Sequence, residues 1–148
     1  MNPTTIEAVL SNWEKDCKID ETDLIRELVA TPNLHAKYLD NYVYFKGKLA
    51  GAEKKYNLMA WKKRKYFRGE FEKHELTAMG WSQWNGLKPS SSELNQLLDM
   101  DKDMNDLQEM TSAYKTAVST VEFILKQIQS RDWAIKSMIE YNKYLSGN

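Results

Sequence analysis

A single cysteine, Cys17, excludes an intrachain disulfide and fits a reducing compartment. Two histidines, His35 and His74, are too few for a His-rich metal site. Six glycines and three prolines in 148 residues leave little material for a turn-rich β architecture, which favours helices. No apolar run approaches the ~20 residues that a membrane span needs, and no charged-then-apolar leader opens the sequence. Also missing are the phosphate-cradling G-x-x-x-x-G-K-[ST] loop, H-E-x-x-H, C-x-x-C and the G-x-S-x-G elbow. The carboxylates fall on expected solvent faces, where pairs of acids are commonplace. Together these absences point to a binding protein that is not an enzyme and carries no cofactor and no metal. With 42% hydrophobic and 28% charged residues, the length suits one soluble all-α domain over residues 1–148.

Net charge is zero, yet the charge is strongly polarised along the chain. Residues 1–30 hold seven acids and three bases, and residues 31–69 hold ten bases against two acids. Residues 90–109 return six acids against one base. A basic segment between acidic ones can bind an external anion, or it can pair with the acidic ones when subunits assemble.

The apolar pattern gives the order of elements. A short helix over about 3–17, with Asn2 as cap and Pro3 in its first position, lines up Ile6, Val9, Leu10, Trp13 and Cys17. Asp20 is expected to cap a second helix carrying Leu24, Ile25 and Leu28, which stops near Ala30 because Thr31 precedes Pro32. Thr31 and Pro32 then read as cap and first position of a third helix to about Arg68. Its heptad runs Leu34, Tyr38, Tyr42, Phe45, Leu49, Ala52, Tyr56, Met59, Lys63 and Tyr66, a coiled-coil spacing. Lys63 breaks that seam, so the helix is expected to leave its partner there. Gly47 and Gly51 suggest either a close helix approach or a weak point.

Residues 69–92 are irregular but apolar enough to pack, with a short helix over Glu70 to Ala78. The pair Trp81 and Trp84 can stack bases, grip a partner or plug a local core. A further short helix from Ser92 carries Leu94, Leu97 and Leu98. The Asp99, Asp101, Asp103 spacing resembles a calcium loop, but Met104 and Met110 occupy the positions that need Gly and Glu. Asp101 or Asp103 is better read as a helix cap. The last helix, about 103–145, repeats the heptad with Leu107, Met110, Tyr114, Ala117, Val121, Ile124, Ile128, Ile135 and Met138. Arg131 and Asn142 interrupt it, as residues that fix register or oligomer state do. Two long helices with matching seams suggest an antiparallel pair packed with the short N-terminal helices.

Residues 61–69 concentrate five cations and three aromatics in nine positions. Like charges at helical spacing repel unless something anionic neutralises them. Single-stranded nucleic acid offers phosphates for Lys and Arg and unstacked bases for flat rings. Candidate strand-binding residues are Lys54, Lys55, Lys62, Lys63, Arg64, Lys65, Tyr66, Phe67 and Arg68, within segment 54–68. Tyr66 and Phe67 are read either as stacking groups or as seam packing. A solvated basic helix end with core aromatics stands as the plain alternative.

These stretches resemble the UvsY family, recombination mediators of T-even-type bacteriophages, and look closest to versions from phages of marine bacteria. The resemblance rests on Trp13 to Asp20, on Leu34 to Leu39, on Tyr66-Phe67-Arg68-Gly69, and on Ser130 to Lys136 with the Gly147-Asn148 end. It implies a ring-shaped homo-oligomer, a hexamer or heptamer, that binds single-stranded DNA without sequence preference. It also implies displacement of the phage single-strand-binding protein and loading of a RecA-like recombinase, in the cytoplasm of the infected host. The family's Lys-x-Arg element maps onto Lys62-Lys63-Arg64, or onto Lys63 and Lys65 in the other register. Residues 1–92 then carry DNA binding and 93–148 assembly, through Leu107, Met110, Tyr114, Val121, Ile124, Ile128, Ile135 and Met138. The competing class is a structural coiled-coil adaptor whose basic run meets an acidic protein surface. A peripheral membrane protein fits less well, because the apolar positions follow a protein-facing heptad.

Overall fold

The computed structural model describes residues 4–147, so the expected cap Asn2 and Pro3 lie outside the described residues. Within them the chain forms six α-helices and no strand. They are α1 (Ile6–Asp16), α2 (Leu24–Val29), α3 (Thr31–Phe67), α4 (Lys73–Met79), α5 (Ser91–Met100) and α6 (Lys102–Leu145). None is long and apolar enough to cross a membrane. The helices fold into two compact units, one of Met1–Gly47 with Tyr114–Asn148 and one of Lys48–Ala113. Each unit joins residues from both halves of the sequence, unlike a division at residue 92. The long helices α3 and α6 contribute to both.

Local capping sets the starts of the short helices. Thr5 caps α1, its hydroxyl accepting from the Ala8 amide at 3.1 Å. Asp23, not Asp20, caps α2, accepting from the Arg26 amide. The Asp20 carboxylate is instead occupied by the amide and hydroxyl of Thr22, a local turn that competes with helix formation. Thr31 and Pro32 sit one position further into α3 than expected. Ala30 ends α2 in right-handed helical geometry and its carbonyl accepts from Leu34, so α3 follows without a loop. Proline is tolerated there because first-turn amides have no helical partner.

In the first unit Tyr42 donates to Glu122, while Thr31 and His35 line one groove with Ile128 and Asp132. There α3 and α6 therefore run antiparallel. Their shared core includes Tyr38, Phe45, Val121, Ile124, Ile128 and Ile135, closed by Val9 of α1 and Leu24 of α2. Trp13 meets Tyr38 edge-on at 5.4 Å, and the Tyr38 hydroxyl donates to Asp16 at 2.9 Å. Lys37 completes that cluster with a 2.6 Å bond to the same carboxylate oxygen. Arg131 is buried and donates to Glu27 and to the Lys18 carbonyl, so within the chain it ties α6 to α2 and to the turn after α1. Asn142 is exposed. A Cβ added at Gly47 or Gly51 would meet nothing within 4 Å, so neither glycine serves a close approach inside this chain.

The second unit packs around Phe67, Leu94, Leu98 and Met104, with Tyr56, Met59, Tyr66, Trp84 and Leu97 half-buried against them. Gly69 ends α3: at φ 70° it lets the Glu70 amide reach back to Lys65 O at 3.0 Å. Helix α4 starts later than expected, at Lys73, because Glu72 and Glu75 form a reciprocal capping box. Ser90 and Glu93 do the same for α5. Asp101 bridges α5 and α6, with its carboxylate accepting from the Met104 amide at 3.1 Å. The acidic stretch thus begins a helix, and no cluster able to hold a metal occurs among the described residues.

Candidate nucleic-acid interface

The basic run occupies the last two turns of α3 and the two turn residues after it, all within the second unit. Helical geometry sorts its side chains. Positions 56, 59, 63, 66 and 67 turn inward, and positions 54, 61, 64 and 68 turn outward. The nine residues therefore do not form one uniform surface.

Lys63 is the exception among the cations. Only 7% exposed, it pairs with Asp101 at 3.1 Å and Asp103 at 3.0 Å. Its ammonium also lies 4.5 Å from the Trp81 ring centre. Burial by itself would lower its pKa, but the hydrogen bonds it donates to Asp103 and Asp101 outweigh that and hold it above the usual lysine value. The helix does not leave its packing at Lys63, because Phe67 one turn later is buried in the core. Burial of a cation is tolerated here because two carboxylates and an aromatic face replace the lost water.

Tyr66 and Phe67 also face inward. The Tyr66 hydroxyl donates to the Ser82 carbonyl at 2.6 Å, and its ring meets Phe67, Trp81 and Trp84. Phe67 meets Trp84 edge-on at 5.0 Å. Trp81 and Trp84 accordingly belong to a local aromatic core. Of the three uses open to that pair, this is the plug.

Lys54, Lys55, Arg64 and Arg68 are exposed, Lys62 and Lys65 half-exposed, and none makes an ion pair among the described residues. No acidic residue occurs between Glu53 and Glu70. An uncompensated positive stripe of this kind attracts polyanions and gains affinity by releasing their counterions. Lys65 lies 4.8 Å from the ring centre of Trp61, which is 55% exposed. The sequence pointed to the run but not to Trp61 as its exposed ring. The signal was its place opposite Lys63 and Tyr66 on the helix.

The expected assembly residues also divide. Val121, Ile124, Ile128 and Ile135 are buried within a single chain, Leu107, Tyr114 and Met138 are half-buried, and Met110 is exposed. The outward face of α6 instead carries Phe123, Trp133, Tyr141, Tyr144 and Leu145, all more than half exposed.

The fold is that of known proteins. The chain superimposes on crystal structures of the bacteriophage T4 recombination mediator protein UvsY in several lattices. In one the TM-score is 0.83 at 21% identity, covering 97% of this chain and 99% of that one. In another it is 0.80 at 22% identity, covering 93% and 98%. No curated protein sequence matches the chain. The profile of the family described as "Recombination, repair and ssDNA binding protein UvsY" matches residues 12–148. The chain therefore belongs to the UvsY family of recombination, repair and single-stranded-DNA-binding proteins.

Proposed function

We propose that this protein is a recombination mediator that holds single-stranded DNA along the end of α3 and loads a RecA-like phage recombinase onto it. The observation that carries the reading is the acid-free stripe of Lys54, Lys55, Lys62, Arg64, Lys65 and Arg68, whose cations pair with no carboxylate among the described residues. Such a stripe binds phosphates without reading base edges, which suits a protein that must act on any sequence. Lys63 contributes by anchoring the helix rather than by touching the strand.

The working form is a homo-oligomeric ring, in the cytoplasm of the infected host. Its assembly surface lies in the C-terminal helix and includes the outward Phe123, Trp133, Tyr141 and Tyr144. A ring repeats one basic stripe several times, so modest contacts from each subunit add up through effective concentration. Modest contacts also release one at a time, which handover of the strand to the recombinase requires. Displacement of the phage single-strand-binding protein follows from competition for the same phosphates.

The reading is tested on single-stranded DNA saturated with the phage single-strand-binding protein. Recombinase ATP hydrolysis should start promptly when this protein is added and lag without it. An unchanged lag across a full titration would contradict the mediator role while leaving DNA binding intact.

A further inference from the structure

With Tyr66 and Phe67 committed to the core, the basic run retains one large ring in solvent, Trp61. It precedes Lys65 by four residues and follows Lys54 by seven, so these three share one face of α3. Arg68, one residue past the helix end with its amide bonded back to Arg64 O, continues that face. The Lys65 ammonium lies between two rings, 4.8 Å from the centre of Trp61 and 5.1 Å from that of Phe71. Phe71 is itself fixed against Trp81, at 6.3 Å. A cation held over aromatic faces has fewer conformations to lose on meeting a phosphate.

The other large exposed rings differ in setting. Phe123, Trp133 and Tyr141 on α6 directly follow Glu122, Asp132 and Glu140, and Tyr144 follows Lys143 but lies one helical turn from Glu140, whereas Trp61 has no acid nearer in sequence than Glu53 and Glu70. Positive surroundings and an open indole suit one ligand class in particular, an unpaired base with its adjoining phosphate.

We propose that Trp61 and Lys65 form a base-stacking subsite for single-stranded DNA, the indole taking an unpaired base and the ammonium the phosphate beside it. The subsite rests on the strand-binding reading above and adds a contact that duplex DNA, with its bases paired and stacked, cannot make. Stacking is tolerant of sequence because every base has a π-face. It therefore confers preference for single strands without preference for a base.

The test compares Trp61→Ala and Trp61→Phe with the unaltered protein on two oligonucleotides of equal length, oligo-dT and a fully abasic strand. Both carry the same phosphates. Trp61→Ala should weaken oligo-dT binding by at least about fivefold, the lower end for loss of one stacked base. It should leave abasic-strand affinity and the salt slope unchanged, and Trp61→Phe should recover part of the loss. An equal loss on both strands, or no loss on either, overturns the subsite. So does a change in sedimentation, which would make Trp61 a contact between copies of this chain. Failure of the unaltered protein to bind either strand would remove the strand-binding reading itself, a distinguishable outcome.

Discussion

Replacing Lys62, Arg64, Lys65 and Arg68 with alanine, with Lys63 retained, is expected to lower affinity for single-stranded DNA by roughly 10²–10³-fold at ~0.1 M salt. Each phosphate contact on a single strand contributes about 0.7 to the slope of log affinity against log salt, so losing four should flatten it by nearly three. The fold should survive. The four cations make no ion pair among the described residues, and alanine is the strongest helix former. Helicity and sedimentation serve as controls, and titration of a labelled oligonucleotide gives the affinity. Full retention of affinity in the quadruple variant would place the DNA elsewhere on the molecule.

Lys63→Met is expected to do the opposite: damage the fold first. The methionine removes the cation that faces Asp101 and Asp103 and leaves their carboxylates without a counter-charge beside an aromatic core. Breaking a buried ion pair from one side costs about 3–5 kcal/mol. Asp103 remains half exposed, which places the expected loss near the lower bound of about 3 kcal/mol. Adding Asp101→Asn and Asp103→Asn should restore much of it, because asparagine removes the orphaned charge and still caps α6. Chemical denaturation of the three proteins gives the comparison, and an unperturbed Lys63→Met variant would show that the cluster is not structural.

The same cluster sets an alkaline limit. The folded pKa of Lys63 lies above the ordinary 10.5, so its stabilisation is fully present below that value and fades as pH rises through the folded one. Tyr38, whose pKa is raised by burial and by the Asp16 hydrogen bond, gives a loss of the same sign above pH 10. The part owed to Lys63 is the difference between the unaltered protein and Lys63→Met across that range. That difference should narrow as pH rises; a constant gap would count against the ion cluster.

The long helices were legible because their signals are local and repeated. Few glycines and prolines interrupt 31–67 or 102–145, and apolar residues recur at helical spacing through both. The short helices were located but shifted, since side chains such as Asp20 and Asp23 compete for the same capping role and only the folded turn decides between them. Lys63 was visible as a position on the apolar register, yet its charge suggested an interruption. What reconciles the two is a pair of aspartates 38 and 40 residues away in sequence, brought in by the α5–α6 junction. Pairing of the basic segment with an acidic one, which the charge pattern allowed between subunits beside binding of an external anion, is made at Lys63 inside one chain. Burial of Tyr66 and Phe67 depended likewise on Ser82 and Trp84, which lie in a stretch with no helical period. Pattern alone could mark the basic run as a candidate site. It could not say which of its side chains turned outward.

Binding of single-stranded DNA, through its phosphates, by the outward cations at the end of α3 is the expected result. It is tested most directly by fluorescence anisotropy of a labelled mixed-sequence oligonucleotide, titrated with the unaltered protein across a salt series. Binding should weaken log-linearly with salt, by about 0.7 per phosphate contacted, and should be stronger than for duplex of the same length. No binding at low salt by folded, assembled protein would contradict it and favour a structural adaptor whose basic stripe meets an acidic protein surface.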